Sequence, residues 1–345
     1  MEKLRDSRLD GILVSAPANV SYLCCYNIAD SYLLISAKGA YFITDFRYAN
    51  EAQRNISGFK IFQYKNLFKD IARIAGRLKI RRLGFEAKDL SFSEHSRIKV
   101  CLDEKVKLVD TFNLIESLRQ VKTKDELKSI REAIRITGLT FKFLKRFLRP
   151  GMAELKIAAE IERFIRLRGA GRAAFDAIIA GGPNSCLPHA RPSSRKIREG
   201  EPVLVDIGVD VNGYKSDLTR VFFLDKITGL QQRIYKIIQD AQAKAVEAVS
   251  AGVKISEVDR AARGYIEKSG YGKYFGHSLG HGVGLEVHEE PSISARNRLP
   301  LKEGMVFTVE PGIYLPGRFG MRLEDMVLVT KKGCEVLSGA VNKSI

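Results

Sequence analysis

Acidic residues lie at strand-like positions in this sequence, where a carboxylate is costly without a partner. Asp206 and Asp217 lie in apolar runs on either side of Asn212-Gly213, the strongest short-range signal for a two-residue hairpin turn. Counting back from this turn pairs Asp206 with Thr219 and puts both aspartates on one face, with Cα atoms roughly 7 to 8 Å apart. Such carboxylates could hold a small hard cation, or they could be solvent-facing strand residues.

A second pair of carboxylates follows near the C-terminus. Glu310 ends an apolar run just before Pro311-Gly312, and Glu324 lies inside the apolar run 323–329. A glutamate within such a strand is costly to bury unless it is paired or bound to metal. Because Arg322 lies two positions from Glu324 on the same strand face, we expect it to orient that carboxylate.

Three of the five histidines lie in the glycine-rich segment 277–291, between the two pairs of carboxylates. They are His277, His281 and His288. Four carboxylates and an imidazole are the composition of a hard, oxygen-rich metal site. Residue type alone leaves open which of the three histidines is the ligand.

The first third of the chain must supply a different kind of domain from the rest. Its segments DGILVSA, SYLLISA and AYFITD predict strands that alternate with helical patterns. The pattern changes near residue 118. There Thr123 and Glu126 form a capping box that opens a long amphipathic helix, and Pro150-Gly151 closes it.

The last two-thirds repeats one order of elements. Its periodicity predicts further helices at about 153–168, 229–250 and 255–269, and strands near 174–180, 202–209, 305–310 and 320–329. The order helix, helix, strands therefore occurs twice. This repetition indicates an internally duplicated α+β domain that brings the carboxylate-bearing strands together.

Composition excludes several other classes of protein. No run of apolar residues is long enough for a membrane helix, and we expect a cytoplasmic protein. The formal net charge of +17 is spread over amphipathic helical patterns such as 65–84 and 128–149, which are typical of solvated helix faces rather than of a nucleic-acid site. The five cysteines lack zinc-type spacing, and we expect reduced thiols.

The ordered motifs resemble a known group of enzymes. D-x-G and S-D-x-T-R, then G-H-x-x-G-H-G-x-G-L-E-V-H-E, V-E-P-G and R-x-E-D are similar to those of the proline-specific metallopeptidases. These are aminopeptidase P and prolidase, of the creatinase and methionine aminopeptidase superfamily. The spacings also match, with eleven positions between the aspartates and fourteen between the glutamates. The N-terminal stretches PANVSYLCCY and TDFRYANEA resemble the amino-terminal domain of that family.

The resemblance implies an architecture and a set of metal ligands. It implies an α+β pita-bread catalytic domain over residues 119–345, preceded by a smaller creatinase-type α/β domain over residues 1–118. It implies two divalent metal ions, with bridging and terminal ligands drawn from Asp206, Asp217, His281, Glu310 and Glu324. In that arrangement His281 and Glu310 serve one ion, Asp206 serves the other, and Asp217 and Glu324 bridge. The oxygen-rich donor set favours Mn²⁺, with Co²⁺, Zn²⁺ or Fe as alternatives.

The same resemblance assigns roles in the substrate cleft. Glu310 would act as general base, and His288 would hold the peptide carbonyl or its developing oxyanion. His277 would also be catalytic and would bind substrate together with His189 and Arg322. For His189, His277 and His288 the alternative is a hydrogen-bonded core histidine.

The length of the substrate is the finer expectation. Many dipeptide-restricted prolidases have an arginine after H-E-x-P, where this chain has Ser292; Arg296 or Arg298 could reach in instead. We therefore expect an Xaa-Pro aminopeptidase that acts on peptides with proline at the second position, with Xaa-Pro dipeptidase as the alternative. A creatinase-like hydrolase or an inactive binding relative would be expected to lack the intact ligand set. A methionine aminopeptidase would share the ligands but is typically shorter and lacks the N-terminal domain. The resemblance also implies a homodimer.

Overall fold

The chain divides into two compact units, Met1–Arg119 and Gln120–Ile345. The computed structural model describes residues 1–27 and 29–343. In the described part of the chain no helix is both long and apolar enough to cross a membrane. No disulfide joins the five cysteines in the described part of the chain.

The N-terminal unit is built on a six-stranded mixed sheet of order β4-β3-β2-β1-β5-β6. Its strands are β1 Gly11–Val14, β2 Ser31–Ser36, β3 Gly39–Thr44, β4 Lys60–Gln63, β5 Arg82–Glu86 and β6 Lys107–Thr111. Its helices are α1 Glu2–Asp6, α2 Pro17–Cys24, α3 Ala49–Asn55, α4 Leu67–Arg77, α5 Phe92–Cys101 and α6 Glu116–Arg119. The three strands predicted from the first third of the sequence are confirmed.

Both faces of this sheet are buried. Leu13 on β1 packs into a cluster with residues of α4 and α5, whereas its neighbours Ile12 and Val14 pack into a second cluster with residues of α2 and α3. Because successive strand residues point to opposite faces, apolar residues at consecutive positions fill both layers. The unit is therefore an α/β domain, as predicted.

The second unit repeats a pair of helices followed by strands. Its helices are α7 Lys124–Phe147, α8 Glu154–Leu167, α9 Gly229–Glu247 and α10 Ile255–Lys268. After α8 come β7 Arg172–Ala173, β8 Ile178–Gly181, β9 Pro202–Ile207, β10 Val209–Val211, β11 Tyr214–Lys215 and β12 Leu218–Phe223. After α10 come β13 Gly280–Gly282, β14 Glu289–Ile293, β15 Val306–Val309, β16 Gly312–Leu315, β17 Phe319–Arg322, β18 Asp325–Thr330 and β19 Gly333–Val336. Short 3₁₀ helices span Gly182–Cys186 and Gly272–Tyr274.

Each repeat buries its helix pair against its own strands. Apolar residues of α7 and α8 pack on β8, β9 and β12, and those of α9 and α10 pack on β15 to β18. The first helix of each pair starts at a capping box, Thr123 with Glu126 and Thr228 with Gln231. The duplicated α+β domain is therefore confirmed, and the strands of its two halves supply the candidate site.

The hairpin register is also confirmed. Asn212 and Gly213 both have positive φ, 53° and 84°, as a two-residue turn of this type requires. Asp206 pairs with Thr219 across β9 and β12.

Two details of the strands differ from prediction. Glu324 lies between β17 and β18 rather than inside a strand, because the chain passes there from a two-stranded ribbon to the five-stranded sheet. The region 174–180 is not one strand either. The chain leaves the short β7 and enters a second sheet at β8.

Candidate metal centre

Five predicted ligands come from strands or strand ends of both halves of the second unit. Asp206 lies on β9, Asp217 directly precedes β12, and His281 is the central residue of β13. Glu310 follows β15 and Glu324 precedes β18. The two halves are joined at this point, because the Glu324 amide donates a hydrogen bond of 3.3 Å to the Thr219 carbonyl oxygen.

The ligand atoms form three overlapping groups, each within 4.8 Å. One is Asp206, Asp217 and Glu324; the second is His281, Glu310 and Glu324; the third is Asp217, His281 and His288. Glu324 is common to the first two groups, and Asp217 to the first and third. Two adjacent cations with bridging carboxylates would need ligands that are shared in this way.

His281 reaches the carboxylates because its neighbours are glycines. A Cβ atom on Gly280 would clash with the Thr308 carbonyl oxygen, and one on Gly282 with the carbonyl oxygen of Glu290. His281 Nε2 lies 3.3 Å from Glu310 Oε1 and 3.6 Å from Asp217 Oδ2. A side chain at either flanking position would displace the β13 backbone, and His281 with it.

The electrostatics of the cluster fit a divalent cation. Burial first, and then repulsion by neighbouring carboxylates, raise the pKa of Asp217 and of Glu324 well above their ordinary values. Burial also raises the pKa of Asp206, although Arg322 opposes the shift. Asp206 Oδ1 and Asp217 Oδ1 are buried without a hydrogen-bond partner in the described part of the chain. Buried carboxylate oxygens without partners are costly, and cations would neutralise their charge.

Glu310 is the carboxylate of the cluster whose negative charge is favoured. Burial raises its pKa, but the hydrogen bond and charge of His281, together with the charges of Arg322 and His277, lower the pKa below the usual value. Thr308 Oγ1 donates to Glu310 Oε1 at 3.1 Å and accepts the His281 amide at 3.1 Å. The ionised form of Glu310 is therefore favoured, and Thr308 helps to fix the orientation of its carboxylate.

Arg322 contacts a different carboxylate from the one predicted. Its Nη2 donates to Asp206 Oδ2 at 2.6 Å, and its Nε donates to Thr219 Oγ1 at 2.9 Å. The Thr219 hydroxyl in turn donates to Glu324 Oε2 at 2.7 Å. The expectation that Arg322 orients Glu324 directly is wrong, because the guanidinium reaches Glu324 only through Thr219.

The other predicted histidines line the same cavity of about 530 Å³ as the cluster. His277 Nε2 lies 3.1 Å from the Tyr314 hydroxyl, and the His288 ring centroid lies 4.2 Å from that of His281. His189 lines the cavity from the loop after β8, and Arg322 lines it from β17. His288 also belongs to one of the three ligand groups, although the family resemblance implied His281 alone as the histidine ligand.

Three residues at the site were missed. Thr219 and Thr308 each lie two positions from a candidate ligand, Asp217 and Glu310, so alternation along a strand could have identified them. Tyr314 accepts a hydrogen bond from Arg322 Nη1 at 2.8 Å, and no sequence signal marked it.

Comparison with known proteins adds two family matches. The Creatinase/Prolidase N-terminal domain matches residues 1–121, and metallopeptidase family M24 matches residues 128–331. The structure of an Xaa-Pro dipeptidase from Bacillus anthracis is 38% identical with a TM-score of 0.96, covering 100% of this chain and 98% of that chain. The structure of an X-Pro aminopeptidase from Thermotoga maritima is 36% identical in sequence, with a TM-score of 0.92. The match covers 100% of this chain and 99% of that chain. The Xaa-Pro dipeptidase of Pyrococcus horikoshii is 35% identical, covering 98% of this chain and 95% of the relative.

Proposed function

Because the chain belongs to metallopeptidase family M24 and has a creatinase/prolidase N-terminal domain, we propose that it hydrolyses the Xaa-Pro bond of dipeptides with two divalent metal ions. The observation that carries this proposal is that three ligand groups share one cavity with His189, His277 and His288. The relatives named Xaa-Pro dipeptidase support the dipeptide substrate over the longer peptides first expected.

The residues present fit the metal ions. Asp206 would serve one ion, His281 and Glu310 the other, and Asp217 and Glu324 would bridge. Divalent ions held there would lower the pKa of a water molecule and polarise the scissile carbonyl. We propose Mn²⁺, since four carboxylates and one imidazole suit it better than tetrahedral Zn²⁺.

The protein residues would handle the proton and the substrate. Glu310, held by Thr308, would accept the proton of the attacking water and return it to the leaving nitrogen of proline. His288 would donate a hydrogen bond to the peptide carbonyl oxygen as negative charge develops on it. His277 and His189 would lie beside the proline ring, whose nitrogen has no amide hydrogen before cleavage.

An Xaa-Pro aminopeptidase is the second candidate. Two observations favour it: the similarity to the Thermotoga maritima X-Pro aminopeptidase, and the neutral Ser292 on the cavity wall. We also propose a homodimer, from the family resemblance, which size-exclusion chromatography with light scattering would test.

Turnover of Ala-Pro and Ala-Pro-Ala by the Mn²⁺-loaded protein tests the proposal. We expect release of alanine and proline from Ala-Pro, with a larger kcat/KM than for Ala-Pro-Ala, and loss of activity after chelation. Preference for Ala-Pro-Ala would instead support the aminopeptidase. Activity that survives exhaustive chelation would contradict the metal-dependent mechanism.

Thermal unfolding provides a separate measure of metal binding. Mn²⁺ at about 100 times its Kd should stabilise the protein by about 2.7 kcal/mol for each ion bound. Asp217→Asn removes a carboxylate shared by two ligand groups, and it should lose most of this increment. Asp225→Asn, a surface aspartate outside the ligand groups, is the matched control and should retain it.

A further inference from the structure

A dipeptide differs from a longer peptide in carrying a free α-carboxylate next to the scissile bond, and the cavity has few cations that could recognise it. Two arginines and no lysine are among its described lining residues, Arg191 and Arg322. Arg296 and Arg298, which the sequence suggested as carboxylate ligands, do not line the cavity. The choice therefore falls between two guanidinium groups.

Arg322 already makes four hydrogen bonds within the protein. It is buried, and its donors go to Asp206, Thr219, Tyr314 and the Pro188 carbonyl oxygen. Binding a substrate carboxylate would require breaking contacts that hold the carboxylate cluster.

Arg191 is exposed on the cavity wall. It makes no ion pair or hydrogen bond with another described side chain. The donors of its guanidinium therefore remain available to a ligand. They form a planar set that matches the two oxygens of a carboxylate.

The loop that carries Arg191 is held in place on both sides. Buried Glu154 accepts hydrogen bonds from the Ser193 amide and hydroxyl at 3.1 and 2.7 Å, and from Asn184 Nδ2 at 3.1 Å. Ala190 is buried in a small cluster with Ile178 and Tyr314. Since the flanking His189 and Arg191 both line the cavity, the loop presents an imidazole and a guanidinium together from a fixed backbone.

We propose that Arg191 is the specificity-determining residue that binds the free α-carboxylate of a dipeptide substrate. This inference rests on the proposed Xaa-Pro hydrolysis. It accounts for dipeptide cleavage by a chain with Ser292 at the position after Pro291. A neutral C-terminal group on the substrate removes the same interaction as a neutral residue at position 191, so the two changes should not add.

Kinetics of Arg191→Gln with Ala-Pro and with its amide, Ala-Pro-NH₂, test the proposal. For Ala-Pro we expect kcat/KM to fall about 10- to 100-fold, mainly through KM, as for loss of a hydrogen bond to a charged group. For Ala-Pro-NH₂ the fall should be less than about threefold. The kcat/KM of Arg191→Lys for Ala-Pro should lie between those of the wild type and Arg191→Gln. Arg296→Gln should match the wild type with both substrates.

Calorimetric binding of the non-cleavable reduced-amide analogue of Ala-Pro gives a second readout, and Arg191→Gln should raise its Kd by a similar factor. An equal fall for acid and amide, or no fall for either, would overturn the role of Arg191 while leaving the proposed function intact. Failure of the wild type to cleave Ala-Pro at all would overturn the proposed function and this inference together.

Discussion

Thr219 and Glu324 lie 105 positions apart in the sequence, and the Thr219 hydroxyl donates a hydrogen bond of 2.7 Å to Glu324 Oε2. The same hydroxyl accepts the Arg322 Nε hydrogen at 2.9 Å. Thr219 therefore links the arginine that holds Asp206 to a carboxylate shared by two ligand groups. Through Thr219 and the direct contact between Arg322 and Asp206, the two halves of the domain fix each other's ligands.

Thr219→Val removes this link while keeping the volume of the side chain. Because partners behind metal ligands typically contribute 10- to 100-fold to affinity, we expect Mn²⁺ binding to weaken by about that factor. Competition with a chromophoric chelator measures it. Thr219→Ser keeps the hydroxyl and should bind as the wild type does. Unchanged affinity in Thr219→Val would show that Glu324 needs no such support.

His288 and His281 are expected to differ in what their loss removes. His288→Asn should lower kcat about 100-fold or more, the usual effect of losing an oxyanion donor, and should keep two metal ions per chain. His281→Asn should lose metal, because it removes the imidazole beside Glu310 and Asp217. Metal content by elemental analysis, together with kcat, separates the roles. A loss of metal from His288→Asn would identify His288 as a ligand, as its membership of a ligand group allows.

Lys122 and Glu289 form a buried ion pair, with Nζ and Oε1 2.7 Å apart and side chains 1% and 4% exposed. Glu289 is the first residue of β14 and follows His288 directly. Lys122→Met removes one charge of a buried ion pair, and we expect a loss of about 3 to 5 kcal/mol in the free energy of unfolding.

Urea denaturation measures the effect of Lys122→Met. Its matched control is Arg131→Met, which breaks the exposed ion pair with Glu335, where both side chains are nearly half exposed. That change should cost under about 1 kcal/mol. The double variant Lys122→Met with Glu289→Gln should recover part of the loss. Similar costs for the two single variants would contradict a special contribution of the buried pair.

The stability of the metal-free protein should depend on the protonation of His277. Burial lowers the pKa of His277 below its ordinary value of 6.5, with Arg322 and Arg263 adding to the shift and Glu310 opposing it. Between the lowered pKa and 6.5 the unfolded chain binds more protons than the folded one, so stability falls as pH falls through that window. Above 6.5 this contribution no longer changes with pH.

His277→Asn removes this titration. Urea denaturation of both metal-free proteins on either side of pH 6.5 should show a smaller acid-induced loss of stability in the variant. Loss of the Tyr314 contact lowers the stability of the variant at every pH, so the comparison concerns the slope. Equal slopes would show that His277 is protonated as readily in the folded state as in the unfolded one.

Local sequence signals predicted much of the fold. The capping box of Thr123 and Glu126 marked the start of α7, and Asn212-Gly213 determined the pairing of Asp206 with Thr219. Both signals act within a few residues, where geometry leaves few alternatives. The repeated helix pairs followed from periodicity in the same way. The break between β17 and β18 at Glu324 could not be predicted from periodicity, because the passage of a chain from one sheet to another depends on packing between distant strands.

Residue types and spacing by themselves indicated a hard, oxygen-rich cluster with an imidazole, although they left open solvent-facing aspartates and the choice of histidine. The family motifs assigned a role to each residue of that cluster. Only the tertiary structure decided that Arg322 contacts Asp206 rather than Glu324, and that Arg191 rather than Arg296 or Arg298 lines the cavity. Strand alternation describes neighbours along one strand. Arg322 contacts Asp206 on β9 and Thr219 on β12. Arg191 reaches the cavity from a loop held by Glu154. Such contacts depend on how separate elements pack, which no local spacing encodes.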